Sequence, residues 1–456
     1  MLTSSNLKHI FILLMLSFLS GCSSYGVINN AEQNSQSKSL NESYSMQSVI
    51  KNKPQGKIAL VLTFSGGGTR AAALAYGVLQ ELNDTKIRYQ DKSLHLLDEV
   101  DIISSVSGGS FIAAYYGLNG QRTFEDFEIA MLKQDIEGEL ISGVLNPFRW
   151  FKETGRTEMA IQLYNTSIFK DATFADLNKP GRPLILINAT DLSNGVRFSF
   201  IQEYFDLICS DIGSFPVSKA VTASSAVPVV FNPVVVKNYH PCGNKSRQKL
   251  VELNKLAKNN YELQQTVNGL KDYTDTLYPY LQLVDGGITD NLGLRAIYEA
   301  IELAGGAQAF MTQVGKHNVK HIAVISVDAS TQTNKPIRLS NKAPTIQQSI
   351  DAMTDIQIHR YNIATLQLFE KSLEKWGKEL STPTQKVEPH FIKLNFDQLS
   401  SDEERAQFNL IPTSLTLTEP DITKLIKAGR SLLKNNVQFQ LLLQVLDNDQ
   451  TPNKFQ

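Results

Sequence analysis

The chain has 456 residues, of which 42% are hydrophobic and 20% charged, with a formal net charge of -1. This is ordinary globular composition, long enough for one large core or for a core domain with a smaller one. The near-neutral balance gives no positive field to hold a phosphate backbone, so nucleic acid is not expected as a partner. Only Cys22, Cys209 and Cys242 are available as thiols, too few and too scattered for a zinc cluster or a disulfide scaffold.

In chain order, the first feature is an apolar run over residues 10–19, broken only by Ser17 and preceded by Lys8. It is shorter than the ~20 residues that cross a bilayer, but it suits a secretory signal. The run closes on Leu19-Ser20-Gly21-Cys22, which resembles the lipobox of bacterial lipoproteins. That resemblance implies removal of residues 1–21, acylation of Cys22 and a membrane anchor in the cell envelope. Each buried acyl CH2 contributes roughly 0.8 kcal/mol. By the same resemblance, Ser23 rather than Asp after the cysteine implies the outer membrane. Residues 22–55 are rich in Ser, Asn, Gln and Lys with little apolar periodicity, and read as a flexible tether. In an exported chain Cys209 and Cys242 form an even pair able to bridge, a closure that would contribute about 3 kcal/mol. A single element between them is expected.

Residues 58–64 form a near-continuous apolar run, the pattern of a parallel strand covered on both faces. A glycine turn and a helical stretch over 71–82 follow. A second strand at 100–103 leads into another glycine turn and a helix over 111–118. Further apolar runs occur at 184–188, 229–236, 281–284 and 322–327, mostly separated by helical sequence. Strands alternating with helices predict an α/β sandwich on a mostly parallel sheet. Residues 244–275 read as a polar, helix-prone surface insertion without a strong apolar stripe. After about residue 331 the strand signals stop. Ile350, Met353, Ile356, Ile363, Leu366, Phe369 and Leu373 then recur at helical spacing, as do Leu425, Ile426, Leu432 and Leu433. We therefore expect a main domain over 56–335 and a helical extension over 336–456 packed on its core.

Three glycine-bearing turns at strand ends carry the chemistry. In Ser65-Gly66-Gly67-Gly68-Thr69-Arg70, glycines permit a tight turn and leave N–H groups uncovered at a helix start, where negative charge is favoured. A phosphate loop would end in Gly-Lys-Ser/Thr, and Arg70 does not supply that ending. In Ser104-Ser105-Val106-Ser107-Gly108-Gly109-Ser110, Ser107 occupies the nucleophile position of an elbow, with Ser105 where a glycine usually stands. Ser104, Ser105 and Ser110 compete with it. In Leu283-Val284-Asp285-Gly286-Gly287, an acid closes a strand and is expected exposed at the carboxyl edge of the sheet. Asp290 reads as the N-cap of the helix that follows.

Taken together, these turns resemble those of the patatin-like phospholipases in order and separation. Asn188-Ala189-Thr190-Asp191 and Ala223-Ser224-Ser225-Ala226-Val227-Pro228 also fit. The resemblance spans about residues 57–330 and continues through Pro412-Thr413-Ser414-Leu415. It implies a three-layer α/β sandwich and a Ser–Asp dyad. Ser107 would be acylated, Asp285 would serve as base, and the N–H groups of Gly67 and Gly68 would form an oxyanion hole whose loop Arg70 orients. It implies a phospholipid or other acyl-ester substrate; no cofactor is expected, nor a metal, since no metal-ligand cluster is apparent in the sequence. No histidine is required, although an order of Ser, acid, His could use His317 or His321. A cluster at 140–151, with Val144, Leu145, Phe148, Trp150 and Phe151, reads either as core or as an interfacial flap. Thioester or peptide hydrolysis on the same scaffold, and a catalytically weak envelope binding or assembly role, are the alternatives.

Overall fold

The structure is a computed structural model that describes residues 25–33, 43–53, 56, 58–89, 92–145, 155–228, 230–240, 244–331 and 341–448. Its centre is an eight-stranded sheet. In chain order the strands are β1 (Ile58–Phe64), β2 (Val100–Val106), β3 (Leu184–Asp191), β4 (Arg197–Ser199), β5 (Val234–Lys237), β6 (Tyr280–Asp285), β7 (His321–Val327) and β8 (Glu388–Leu394). Across the sheet they run β8-β7-β1-β2-β3-β6-β5, and β4 also pairs with β3. Neighbours from β8 to β3 are parallel, while β6 is antiparallel to both β3 and β5. The expected mostly parallel α/β sandwich is thus present. The strands β2, β3 and β7 are buried at every position, as continuous apolar runs between helical layers should be.

Helices α1 (Gly68–Asp84), α2 (Gly108–Asn119), α3 (Val217–Ser224), α4 (Leu294–Leu303), α5 (Ile346–Leu380) and α6 (Glu419–Asn435) complete the frame. The helices α1 and α6 touch backbone to backbone. A Cβ on Gly77 would lie 2.1 Å from the Ile426 carbonyl, and one on Gly429 would lie 2.2 Å from that of Leu74. The C-terminal quarter is therefore part of the same packed body and is not purely helical. It donates β8, an edge strand that the sequence reading missed. Pro389 interrupts the strand pattern there, and only Ile392 and Leu394 of the seven residues are buried. A proline is tolerated because an edge strand has one unpaired side.

Other expectations are corrected in the same way. Residues 25–33 and 43–53, within the presumed tether, pack on the body. Ala31–Glu32 pairs with Ser210–Asp211, and the fully buried Tyr44 donates its hydroxyl to the Ile185 carbonyl. The apolar run at 229–236 is a strand only over Val234–Lys237. The 244–275 insertion does have a stripe, since Leu263, Val267 and Leu270 are buried along one helix. On α5 only the second half is core. Phe369, Leu373 and Trp376 are buried, whereas Met353, Ile356 and Ile363 are exposed. The candidate flap at 140–151 falls largely outside the described residues, as does Cys22.

Candidate active site

The elbow follows β2 directly. Ser107 has φ 50° and ψ -124°, and it precedes the first turn of α2. A non-glycine residue in such backbone costs on the order of 1–3 kcal/mol, so its surroundings must hold it there. They do so through Ser224 at the end of α3. The Ser107 N–H donates to Ser224 Oγ at 2.8 Å, Ser224 Oγ–H donates to the Asn188 carbonyl at 2.7 Å, and Ser110 Oγ lies 2.9 Å from Ser224 Oγ. Both glycines after Ser107 are demanded by space. A Cβ on Gly108 would sit 1.9 Å from the Gly68 carbonyl oxygen, and one on Gly109 would sit 2.7 Å from Phe64 Cβ.

The competing serines are spent elsewhere. Ser104 Oγ donates to the Gly293 carbonyl at 2.6 Å and Ser105 Oγ to that of Leu186 at 3.1 Å. Both are wholly buried, as is Ser110. Ser105 fits where a glycine was expected because its side chain reaches across to β3.

Asp285 meets the elbow from the far side. Because β6 runs antiparallel to β3, it descends towards the parallel strands and stops with Asp285 opposite Ala189, one step beyond the level where Val106 faces Asn188. Ser107 Oγ–H donates to Asp285 Oδ2 at 2.8 Å, and the Gly287 N–H donates to Oδ1 at 2.7 Å. The strand end is pinned by Asp285 N–H on the Ala226 carbonyl at 3.0 Å and Gly286 N–H on that of Ser224 at 3.2 Å. Asp285 and Ser107 each retain only 7% accessibility, so the acid is buried more deeply than a strand-end position predicts. Burial raises its carboxyl from 3.8 to about 6, against the opposing pull of the Gly287 and Ser107 bonds.

The glycine turn lies against this pair. A Cβ on Gly66 would be 3.3 Å from Ser107 Cβ. Gly67 and Gly68 have φ of 137° and 60°. The Ser65, Gly66 and Thr69 N–H groups are taken by the carbonyls of Val327, Asn291 and Ser414. Between them, the N–H groups of Gly67 and Gly68 have no acceptor among the described residues. Arg70 is buried and donates to the Ala329 carbonyl at 2.9 Å, the Ile411 carbonyl at 2.6 Å and Thr413 Oγ1 at 2.9 Å. Its bonds therefore clamp the loop to the C-terminal segment.

Asp290 is not the N-cap of α4, a place taken by Gly293. Its Oδ2 nevertheless accepts the Ala296 N–H at 2.9 Å inside the first turn. It lies near the buried Arg197–Glu299 ion pair, and burial raises it to about 6. His321 opens β7 at the end of the sheet opposite the elbow, so it cannot serve Ser107. Cys209 is disulfide-bonded, while its expected partner Cys242 lies outside the described residues. Between these cysteines stand both α3 and β5, not a single element. Ser224 and Asn188, quoted in the sequence only as family segments, prove to be the supports of the elbow.

A family model described as patatin-like phospholipase matches residues 62–298. No curated protein matches the chain. Among solved structures, human GIVD cytosolic phospholipase A2 is similar at 14% identity, with 86% of this chain and 62% of that one covered and a TM-score of 0.43. The chain thus spans less than two thirds of that enzyme. A complex of full-length SpcU with full-length ExoU from the type III secretion system of Pseudomonas aeruginosa matches at 14% identity, over 87% of this chain and 91% of that one, with a TM-score of 0.23.

Proposed function

Since the chain belongs to the patatin-like phospholipase family, we propose that it hydrolyses acyl esters of phospholipids through Ser107 and Asp285. The observation that carries this reading is the 2.8 Å bond from Ser107 Oγ to Asp285 Oδ2, beside two N–H groups without acceptors. Asp285 takes the hydroxyl proton as Ser107 Oγ attacks the ester carbonyl. The resulting oxyanion is held by the N–H groups of Gly67 and Gly68, donors each worth roughly 3–4 kcal/mol in enzymes of known mechanism. Collapse expels the alcohol, which takes the proton from Asp285, and leaves Ser107 acylated. Asp285 then activates water to release the fatty acid. A carboxyl raised to about 6 is a stronger base than a free one, yet stays ionised at neutral pH.

Exposed apolar side chains flank the dyad and support an acyl substrate. Val227 and Val230 follow the carbonyl that pins Asp285, and Ile288 follows its glycines. We also propose acylation at Cys22 and attachment to the envelope membrane. Gly26 lies against Val235 and the Val27 N–H donates to Glu158, so the link from Cys22 to the body at Gly26 spans at most about 14 Å and the enzyme works at the surface that anchors it. A fluorophosphonate probe should label the wild type and not Ser107→Ala, and hydrolysis of a fluorogenic phospholipid should vanish with the label. A folded wild type that neither labels nor hydrolyses would leave the binding or assembly role. Incorporation of labelled palmitate, lost in Cys22→Ala, tests the anchor separately.

A further inference from the structure

No metal-ligand cluster is apparent in the sequence, but parallel pairing creates one. At the end of the sheet remote from Ser107, β7 and β8 set His321 opposite Glu388 and Ala323 opposite His390. Side chains alternate along a strand, so His321, Glu388 and His390 all project from one face. The small Ala323 leaves room beside the His390 ring. One ligand atom from each of the three residues lies within 4.8 Å of the others.

The spacing suits a metal. His321 Nδ1 is 3.2 Å from His390 Nε2. Two imidazole nitrogens bound tetrahedrally to zinc, each at 2.0–2.1 Å, are separated by about 3.3 Å. His321 is buried, whereas Glu388 and His390 are half-buried on the edge strand, which gives an entry path. Glu388 also pairs with the largely exposed Lys386 at 3.9 Å.

We propose that His321, Glu388 and His390 form a zinc-class divalent metal site that clamps the C-terminal edge strand to the catalytic sheet. Imidazole and carboxylate donors suit Zn2+, Co2+ and Ni2+, with water completing the shell. The site is independent of the ester chemistry, since none of its ligands approaches the dyad.

The test uses the full, untagged chain, stripped with a chelator, dialysed against Zn2+ and assayed by elemental mass spectrometry, with Co2+ absorption as a second readout. The expected result is one Zn2+ per chain, with affinity at least tenfold weaker in both His390→Ala and Glu388→Gln. The melting temperature should rise with Zn2+ in the wild type alone. These substitutions sit on the edge strand and avoid the buried His321, and circular dichroism checks that they fold. Absence of stoichiometric binding in the wild type would overturn the proposal and leave a hydrogen-bonded histidine pair. So would binding that neither substitution weakens.

Discussion

Replacing Asp285 by Asn separates the cost of burying this carboxylate from its proposed use as a base. Burial raises the carboxyl from 3.8 to about 6, so the folded chain binds this proton more tightly than the unfolded one. The sign follows: the penalty is absent below pH 3.8, grows as pH rises, and is complete above about 6. Its size is about 3 kcal/mol at 1.36 kcal/mol per pH unit. Asn keeps an oxygen for the Gly287 N–H, and the stronger bond that the carboxylate makes there is already contained in the net shift. Asp285→Asn should therefore be more stable than wild type by roughly 1–3 kcal/mol at pH 8 and equal to it near pH 4. Urea denaturation of both proteins across this range measures it. The difference between them matters, because Asp290 is also raised to about 6 and adds its own slope to each. Turnover should fall by at least about 10³-fold. An Asn variant less stable than wild type at pH 8, with the pH slope unchanged, would refute the claim that this carboxylate is held ionised against burial.

In the wild type, turnover should rise with pH through about 6 as Asp285 ionises, and a profile flat from pH 5 to 8 would contradict its role as base. Ser107→Gly relieves the φ of 50° and should gain about 1 kcal/mol of stability while abolishing activity, measured by denaturation beside a lipase assay. Gly68→Ala would put a Cβ 2.4 Å from the Ser414 carbonyl in left-handed backbone. It should cost at least about 2 kcal/mol and sharply lower kcat, whereas Gly181→Ala, also at positive φ but in open space, should leave kcat unchanged. Ser224→Ala leaves the buried Ser107 N–H without its acceptor; we expect a loss of about 1–3 kcal/mol together with reduced fluorophosphonate labelling.

The features legible along the chain are local. Tight turns between an apolar strand and a helix need glycine at fixed offsets, so the loop at 66–68, the elbow at 107 and the acid at 285 stood out with the mostly parallel sheet around them. The remaining features depend on residues far apart in the chain and arise only on folding. The Ser224 and Asn188 supports, the Arg70 clamp on Ile411 and Thr413, and the antiparallel approach of β6 leave no periodicity to read. Nor does Pro389 announce an edge strand, or Met353 and Ile356 their exposure on α5. A hydrogen-bond partner hundreds of residues away adds no pattern to either segment. Such contacts exist only once the chain has closed the sheet and set its free donors and acceptors face to face.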